Sequence, residues 1–194
     1  MRIEEKYGAM VRASRWTQMA IDVFWENPTA TSDANRDLVR KAIKETWEAN
    51  SAIVFPATWP ACVASAKGIR IKISDEGSHT ASLGRYLDAR PAGMVLNFAF
   101  QQWGQACQAN PQSCMYSIAV HEFGHALGFT HEDNRKDTPD QCKADYHQGI
   151  DGDYYVTPYD ANSVMNYCNK TYLGDGKLSP FDIKMVSEIY KKTP

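Results

Sequence analysis

No run in the 194 residues approaches the roughly 18 consecutive apolar positions that a bilayer-crossing helix needs, so membrane insertion is not expected. A field of one charge is also missing. Twenty-one Lys and Arg scattered among 23 Asp and Glu leave a formal charge of −2, which speaks against both a nucleic-acid-binding face and an acidic, disordered chain. There is no internal repeat and no low-complexity linker. The opening Met1-Arg2-Ile3-Glu4-Glu5-Lys6 lacks the apolar core of a secretion signal. A mature domain carrying an added methionine and a protein exported without a cleaved signal would both begin this way. With 43% hydrophobic and 23% charged positions, the chain can bury a core sufficient for one domain or two small lobes.

Cysteines are few but odd in number, which leaves at least one unpaired within the chain. Five, at 62, 107, 114, 142 and 168, are nonetheless many for a reducing compartment and suggest export. Cys107 and Cys114 bracket a polar loop that a disulfide would close, and Cys142 and Cys168 would tie a long loop to a later turn, leaving Cys62 over. Other schemes, including free thiols throughout, satisfy the same count.

One stretch carries chemistry. In His121-Glu122-Phe123-Gly124-His125-Ala126-Leu127-Gly128-Phe129-Thr130-His131-Glu132, a helix would put His121 and His125 one turn apart, with both imidazoles on one face. Gly128 stands where such a helix would stop, because glycine enters the left-handed region without steric cost. The chain can then swing back with His131 as a third ligand. Three neutral imidazoles on one zinc leave a position for water, whose pKa falls from near 16 to roughly 7. Glu122, beside the first ligand, suits the base that takes the water's proton. A bare His-Glu-x-x-His arises by coincidence in helices that bind nothing. The glycine and third histidine in register make coincidence a poor account here.

This extended motif resembles that of the metzincin metallopeptidases. Tyr159-Asp160-Ala161-Asn162-Ser163-Val164-Met165-Asn166-Tyr167 resembles their Met-turn, which implies Met165 as a hydrophobic floor under the metal. Glu132 after the third histidine is similar to astacins, and the Ser-x-Met-x-Tyr form of the turn is similar to astacins and serralysins alike. The resemblance implies that Tyr167 binds zinc and swings away to hydrogen-bond the reacting carbonyl oxygen. It also implies that Glu132 can accept a link from a buried amino terminus. Astacins usually have histidine where this chain has Asn166.

The fold so implied is α+β: a mixed, mostly parallel five-stranded sheet with an antiparallel edge strand, a long active-site helix, and a small irregular C-terminal lobe ending in a helix. Residues 1–194 would form a single catalytic domain, with an upper lobe of about 15–128 and a lower lobe of about 129–194. The edge strand would run from His79 to Leu83, with Thr80, Ala81, Ser82 and Leu83 binding extended substrate through exposed backbone, as an unpaired edge invites on physical grounds too. A plain surface loop is the competing reading of that segment.

The remaining pattern fits packing. Residues 19–25 read as a first strand, 34–49 as a helix with Leu38, Val39, Ala42, Ile43, Thr46 and Trp47 on one face, and 53–55, 68–74 and 93–99 as further strands. Ser179-Pro180 starts a closing helix whose stripe is Phe181, Ile183, Met185, Val186, Ile189 and Tyr190. The first sixteen or so residues read as a flexible leader or a pro-segment remnant. His79 and His147 read as surface residues. The acidic stretch around Asp137, Asp140, Asp151 and Asp153 lacks the spacing of a calcium loop.

Together these expectations describe an exported, monomeric zinc endopeptidase with one Zn2+ per chain, acting on protein or peptide, with Glu122 as base. Two rival readings are a catalytically silent zinc module that binds peptide along its edge strand, and a toxin or effector with one narrow protein substrate.

Overall fold

Ile69-Arg70-Ile71-Lys72-Ile73 alternates apolar and charged residues, and in the computed structural model, which describes residues 9–143 and 149–191, it is strand β2 (Ile69–Ile73). It pairs in parallel with β1 (Val23–Trp25) on one side and with β4 (Met94–Leu96) on the other. Strand β3 (His79–Thr80) closes the order β1-β2-β4-β3 as an antiparallel edge. Parallel pairing requires long crossovers, and the β1–β2 crossover carries helix α1 (Asp33–Ile43) with a π-helical turn at Lys44–Glu48.

The α+β class and the antiparallel edge are as expected, but the sheet has four strands among the described residues, not five. Residues 53–55 contribute only a bridge: Val54 N donates to Met19 O (2.9 Å) and Ile21 N to Val54 O (3.0 Å). Pro56 follows and has no N–H to continue a ladder. Ile53 and Phe55 turn into the core while Val54 faces solvent. The edge is likewise shorter than residues 79–83, with a last backbone bond from Ala81 N to Gly93 O.

Helix α2 (Gln105–Ala109) leads into α3 (Pro111–Ala126), the central helix, and proline in the first turn of α3 gives up no hydrogen bond there. Cys107–Cys114 forms a disulfide across this junction, and Cys142–Cys168 forms a second, leaving Cys62 as a free thiol. Met115, Ile118, Ala119, Val120, Phe123 and Ala126 are all buried, so α3 is covered around most of its circumference. Trp59 stacks on Phe123 and Phe55 meets its edge.

Residues 9–16, expected to be flexible, are built in. Met10 bridges Phe129 and Tyr154, and Met10 and Trp16 are buried. Among the described residues beyond α3, regular structure nearly stops until α4 (Pro180–Ile189), where Ser179 accepts from Phe181 N and Asp182 N as a cap. His147 and the opening residues 1–8 lie outside the described residues.

Candidate metal centre and cleft

The end of α3 is held by buried side chains. Trp16 Nε1 donates to Ala126 O and the Tyr190 hydroxyl to Leu127 O, so two carbonyls that the helix end leaves unsatisfied have partners, while Trp47 Nε1 donates to Val120 O further up the helix. Gly128 then adopts φ +95°. A Cβ there would lie 2.6 Å from Ser14 Oγ and 2.9 Å from Met10 Cε, so glycine is required by both backbone and space. Phe129 N bonds back to Gly124 O, and the chain returns with His131 extended.

This return brings the three histidines together. Their Nε2 atoms are separated by 3.2 Å (121–125), 3.0 Å (125–131) and 3.3 Å (121–131). Nδ1 of His121 donates to Val164 O and that of His125 to Phe129 O, each at 2.8 Å, which leaves Nε2 of both rings as bare acceptors. Two lone pairs facing each other at that range repel unless a cation lies between them. Tetrahedral zinc with bonds of about 2.0–2.1 Å implies nitrogen separations of about 3.3–3.4 Å, so the donor set fits zinc in kind and in size. Burial pushes His121 down to about 3, with the His131 charge adding, and pushes His125 well below the usual imidazole range. Neutral rings are what a metal needs.

Glu122 is buried beside this cluster. Burial pushes its carboxyl up to about 7, opposed by the Thr80 hydroxyl, which donates to Oε2 at 2.7 Å. The Tyr167 hydroxyl stands 3.4 Å from His121 Nε2, and its ring lies 5.2 Å from His121 and 4.9 Å from His131. The ring is half exposed, but burial of the hydroxyl side still pushes the phenol pKa up.

Met165 is fully buried against α3: a Cβ on Gly124 would come 2.3 Å from its Sδ. The turn around it supports two of the three histidines. Val164 O orients His121, and Met165 O accepts from Glu132 N, next to His131. Asn166 is structural, donating to Tyr159 Oη and Asp160 O and accepting from Cys168 N.

A cleft of about 430 Å³ opens over these groups, lined by Thr80, Ala81, Ser82 and Leu83 on the edge side and by Glu122, His125, His131 and Tyr167 below. Val11, Tyr86 and Ile150 complete an apolar rim. Every site residue expected from the sequence therefore lies in the cleft or directly supports it. His79 is exposed and bonds to Gly77 O.

Apart from Glu132, the groups that hold this frame from outside carry no sequence signal. Glu132 is met by Arg135 Nε (3.4 Å) and by Asp160 N (3.0 Å), and burial pushes it up to about 8. Arg135, itself buried, also grips Asp137 and Thr157 O. Asp182 accepts from Ser163 Oγ, Val164 N and Ser179 N, and so anchors the turn from below. Tyr172 sits within electrostatic range of Glu122, which together with burial raises its pKa. Only proximity in the fold reveals these partners, because Arg135 and Tyr172 are isolated polar residues in irregular chain and Asp182, in the first turn of α4, meets the Met165 turn from far along the sequence.

A family model described as Astacin, a peptidase family, matches residues 9–189. Zinc metalloproteinase nas-28 of Caenorhabditis elegans is 27% identical over 175 residues, covering 84% of this chain and 31% of that protein. High choriolytic enzyme 1 of Oryzias latipes is 36% identical over 74 residues, which is 32% of this chain and 27% of that protein. The chain thus spans about a third or less of the length of these relatives. Among solved structures, myroilysin superposes with a TM-score of 0.64 at 22% identity, covering 96% of this chain and 100% of that one. The hatching enzyme zinc-protease HCE-1 of Oryzias latipes gives 0.58 at 17%, covering 97% and 100%. At such identities the two superpositions bear on the fold.

Proposed function

Because this chain belongs to the astacin family of peptidases, we propose that it is a zinc endopeptidase that cuts protein or peptide chains, with His121, His125 and His131 as the metal ligands. The observation that carries the reading is the convergence of three Nε2 atoms within 3.3 Å of one another at the floor of a cleft beside a buried glutamate. Zinc held there would polarise the scissile carbonyl and lower the pKa of its water.

The chain's own residues supply the rest. Glu122 takes the proton from the attacking water and returns it to the leaving amine, a shuttle that needs a carboxylate within hydrogen-bond reach of both. The Tyr167 hydroxyl, already near the ligands, donates to the oxygen on which negative charge gathers. Met165 supports the ligand floor, and Gly128 permits the turn that returns His131. The exposed edge of β3 and the residues after it, from Thr80 to Leu83, pair with the main chain of an extended peptide. We assign residues 15–128 and 129–194 as the two lobes of one catalytic domain acting as a monomer. Two disulfides favour an exported enzyme in an oxidising compartment.

A graded substitution series tests the reading. Glu122→Gln should retain zinc and lose on the order of 1,000-fold or more in kcat, and Tyr167→Phe should lose roughly 10- to 100-fold with zinc still bound. A Glu122→Gln variant that cleaves peptides at the parent rate would remove the base from this scheme. A zinc-loaded parent inert towards denatured casein and a peptide library would favour a peptide-binding module. If the same sample cut one protein in a lysate, mapped by its new termini, the narrow-substrate reading would stand.

A further inference from the structure

Thr80 faces the site in two directions at once. Ala81 N donates to Gly93 O at 2.8 Å, in a ladder whose register sets His79 opposite Val95 and Thr80 opposite Met94. Opposed residues of an antiparallel ladder alternate between pairs that exchange hydrogen bonds and pairs that do not. With 81 bonded to 93, the bonded pair before it is 79 with 95, so the N–H and C=O of Thr80 point away from β4 towards the open edge. Its side chain leaves perpendicular to that plane, towards α3. There Oγ1 lies 2.7 Å from Glu122 Oε2 and 3.2 Å from Glu122 O.

We propose that Thr80 is a positioning residue: its hydroxyl anchors Oε2 of Glu122 so that Oε1 is left to work on the water, while its own main chain pairs with the bound peptide. This rests on the reading of Glu122 as the base. A glutamate side chain has several rotatable bonds, and a carboxylate free to turn spends much of its time out of line with the proton it must take. Fixing one oxygen removes that freedom. Because the anchor belongs to the strand that receives substrate, the base is set in the frame of the peptide and not only in that of its own helix. The valine isostere has the same shape as threonine but cannot donate, so it separates the two directions: it deletes the anchor and leaves the backbone edge intact.

The test compares Thr80→Val and Thr80→Ser with the parent on one peptide substrate. Thr80→Val should lower kcat about 10- to 100-fold with KM within about twofold, because an interaction used only in orienting the base is lost. Thr80→Ser, which keeps the hydroxyl, should recover to within about threefold of the parent. Zinc content should match in all three. In the Glu122→Gln background, Thr80→Val should leave the dissociation constant for the uncleaved peptide unchanged. A Thr80→Val enzyme with parental kcat would overturn the proposal. So would a loss confined to KM and to peptide affinity in the Glu122→Gln background, or a serine variant as slow as the valine one. Glu122→Gln separates the failures: parental cleavage by that variant sinks the base assignment, whereas its silence beside a fully active Thr80→Val sinks only the anchor.

Discussion

His121 and His125 come from a helix packed on nearly every side by apolar groups, whereas His131 and Tyr167 come from a stretch that, among the described residues, has almost no regular structure until α4. The first region is held by area removed from water, worth about 1.5–3 kcal/mol for each large side chain fully buried. The second adds Phe129, Val164, Met165 and Leu173 to the core but leans more on charge and hydrogen bonds: Arg135 among Glu132, Asp137 and Thr157 O, Asp182 under the Met165 turn, and a disulfide from Cys142 to Cys168. The difference teaches that a histidine cluster can be shared between a rigid element and an irregular one, provided that hydrogen bonding crosses between them. Val164 O to His121 is such a crossing, and Met165 O to Glu132 N ties the irregular stretch to itself beside His131.

If the regions are stabilised so differently, opening their disulfides should separate them most. The Cys142–Cys168 bridge closes a separation of 26 residues and the Cys107–Cys114 bridge one of 7. Loop entropy then predicts losses of about 3.5 and about 2 kcal/mol for the paired serine variants, measurable by guanidinium unfolding. Equal losses would mean that the irregular region does not depend on its staple.

Asp182 gives the next effect. Burial pushes it up to about 6 from an ordinary 3.8, so the folded state favours its protonated form. The stability that this contributes is full below the unfolded value and is lost as pH rises through about 6, a change of about 3 kcal/mol. Asp182→Asn cannot titrate. The parent's advantage over it should be largest near pH 4 and shrink towards pH 7, and an advantage that grows with pH would contradict the assignment. Smallest is Gly124→Ala, at the seam of the two regions. A helix gains about 1 kcal/mol from the exchange, but the new Cβ collides with Met165 Sδ, at a cost of about 1–3 kcal/mol. A net loss of about 1 kcal/mol in thermal unfolding is expected, and a gain would show that Met165 moves freely.

The same contrast explains what could be read from the residues. The spacing of His121, His125, Gly128 and His131 foretells the convergence of the three histidines because helix pitch and a left-handed glycine are local rules, and β2 is legible from its alternation. The strand at residues 53–55 failed because its apolar run looks the same whether or not Pro56 lets a ladder continue. Residues 9–16 looked like a loose leader, since nothing near them in sequence announces that Met10 and Trp16 pack against Phe129 and the end of α3. Arg135, Asp182 and Tyr172 were silent for the same reason: their meaning lies in partners distant in the chain.

X-ray absorption at the zinc edge, with metal analysis of the purified chain, tests the central claim most directly. The account predicts one zinc per chain with three imidazole nitrogens at about 2.0–2.1 Å, and loss of the metal when His121, His125 and His131 are replaced together. Substoichiometric metal, a sulfur-rich shell, or full zinc uptake by the triple variant would contradict it.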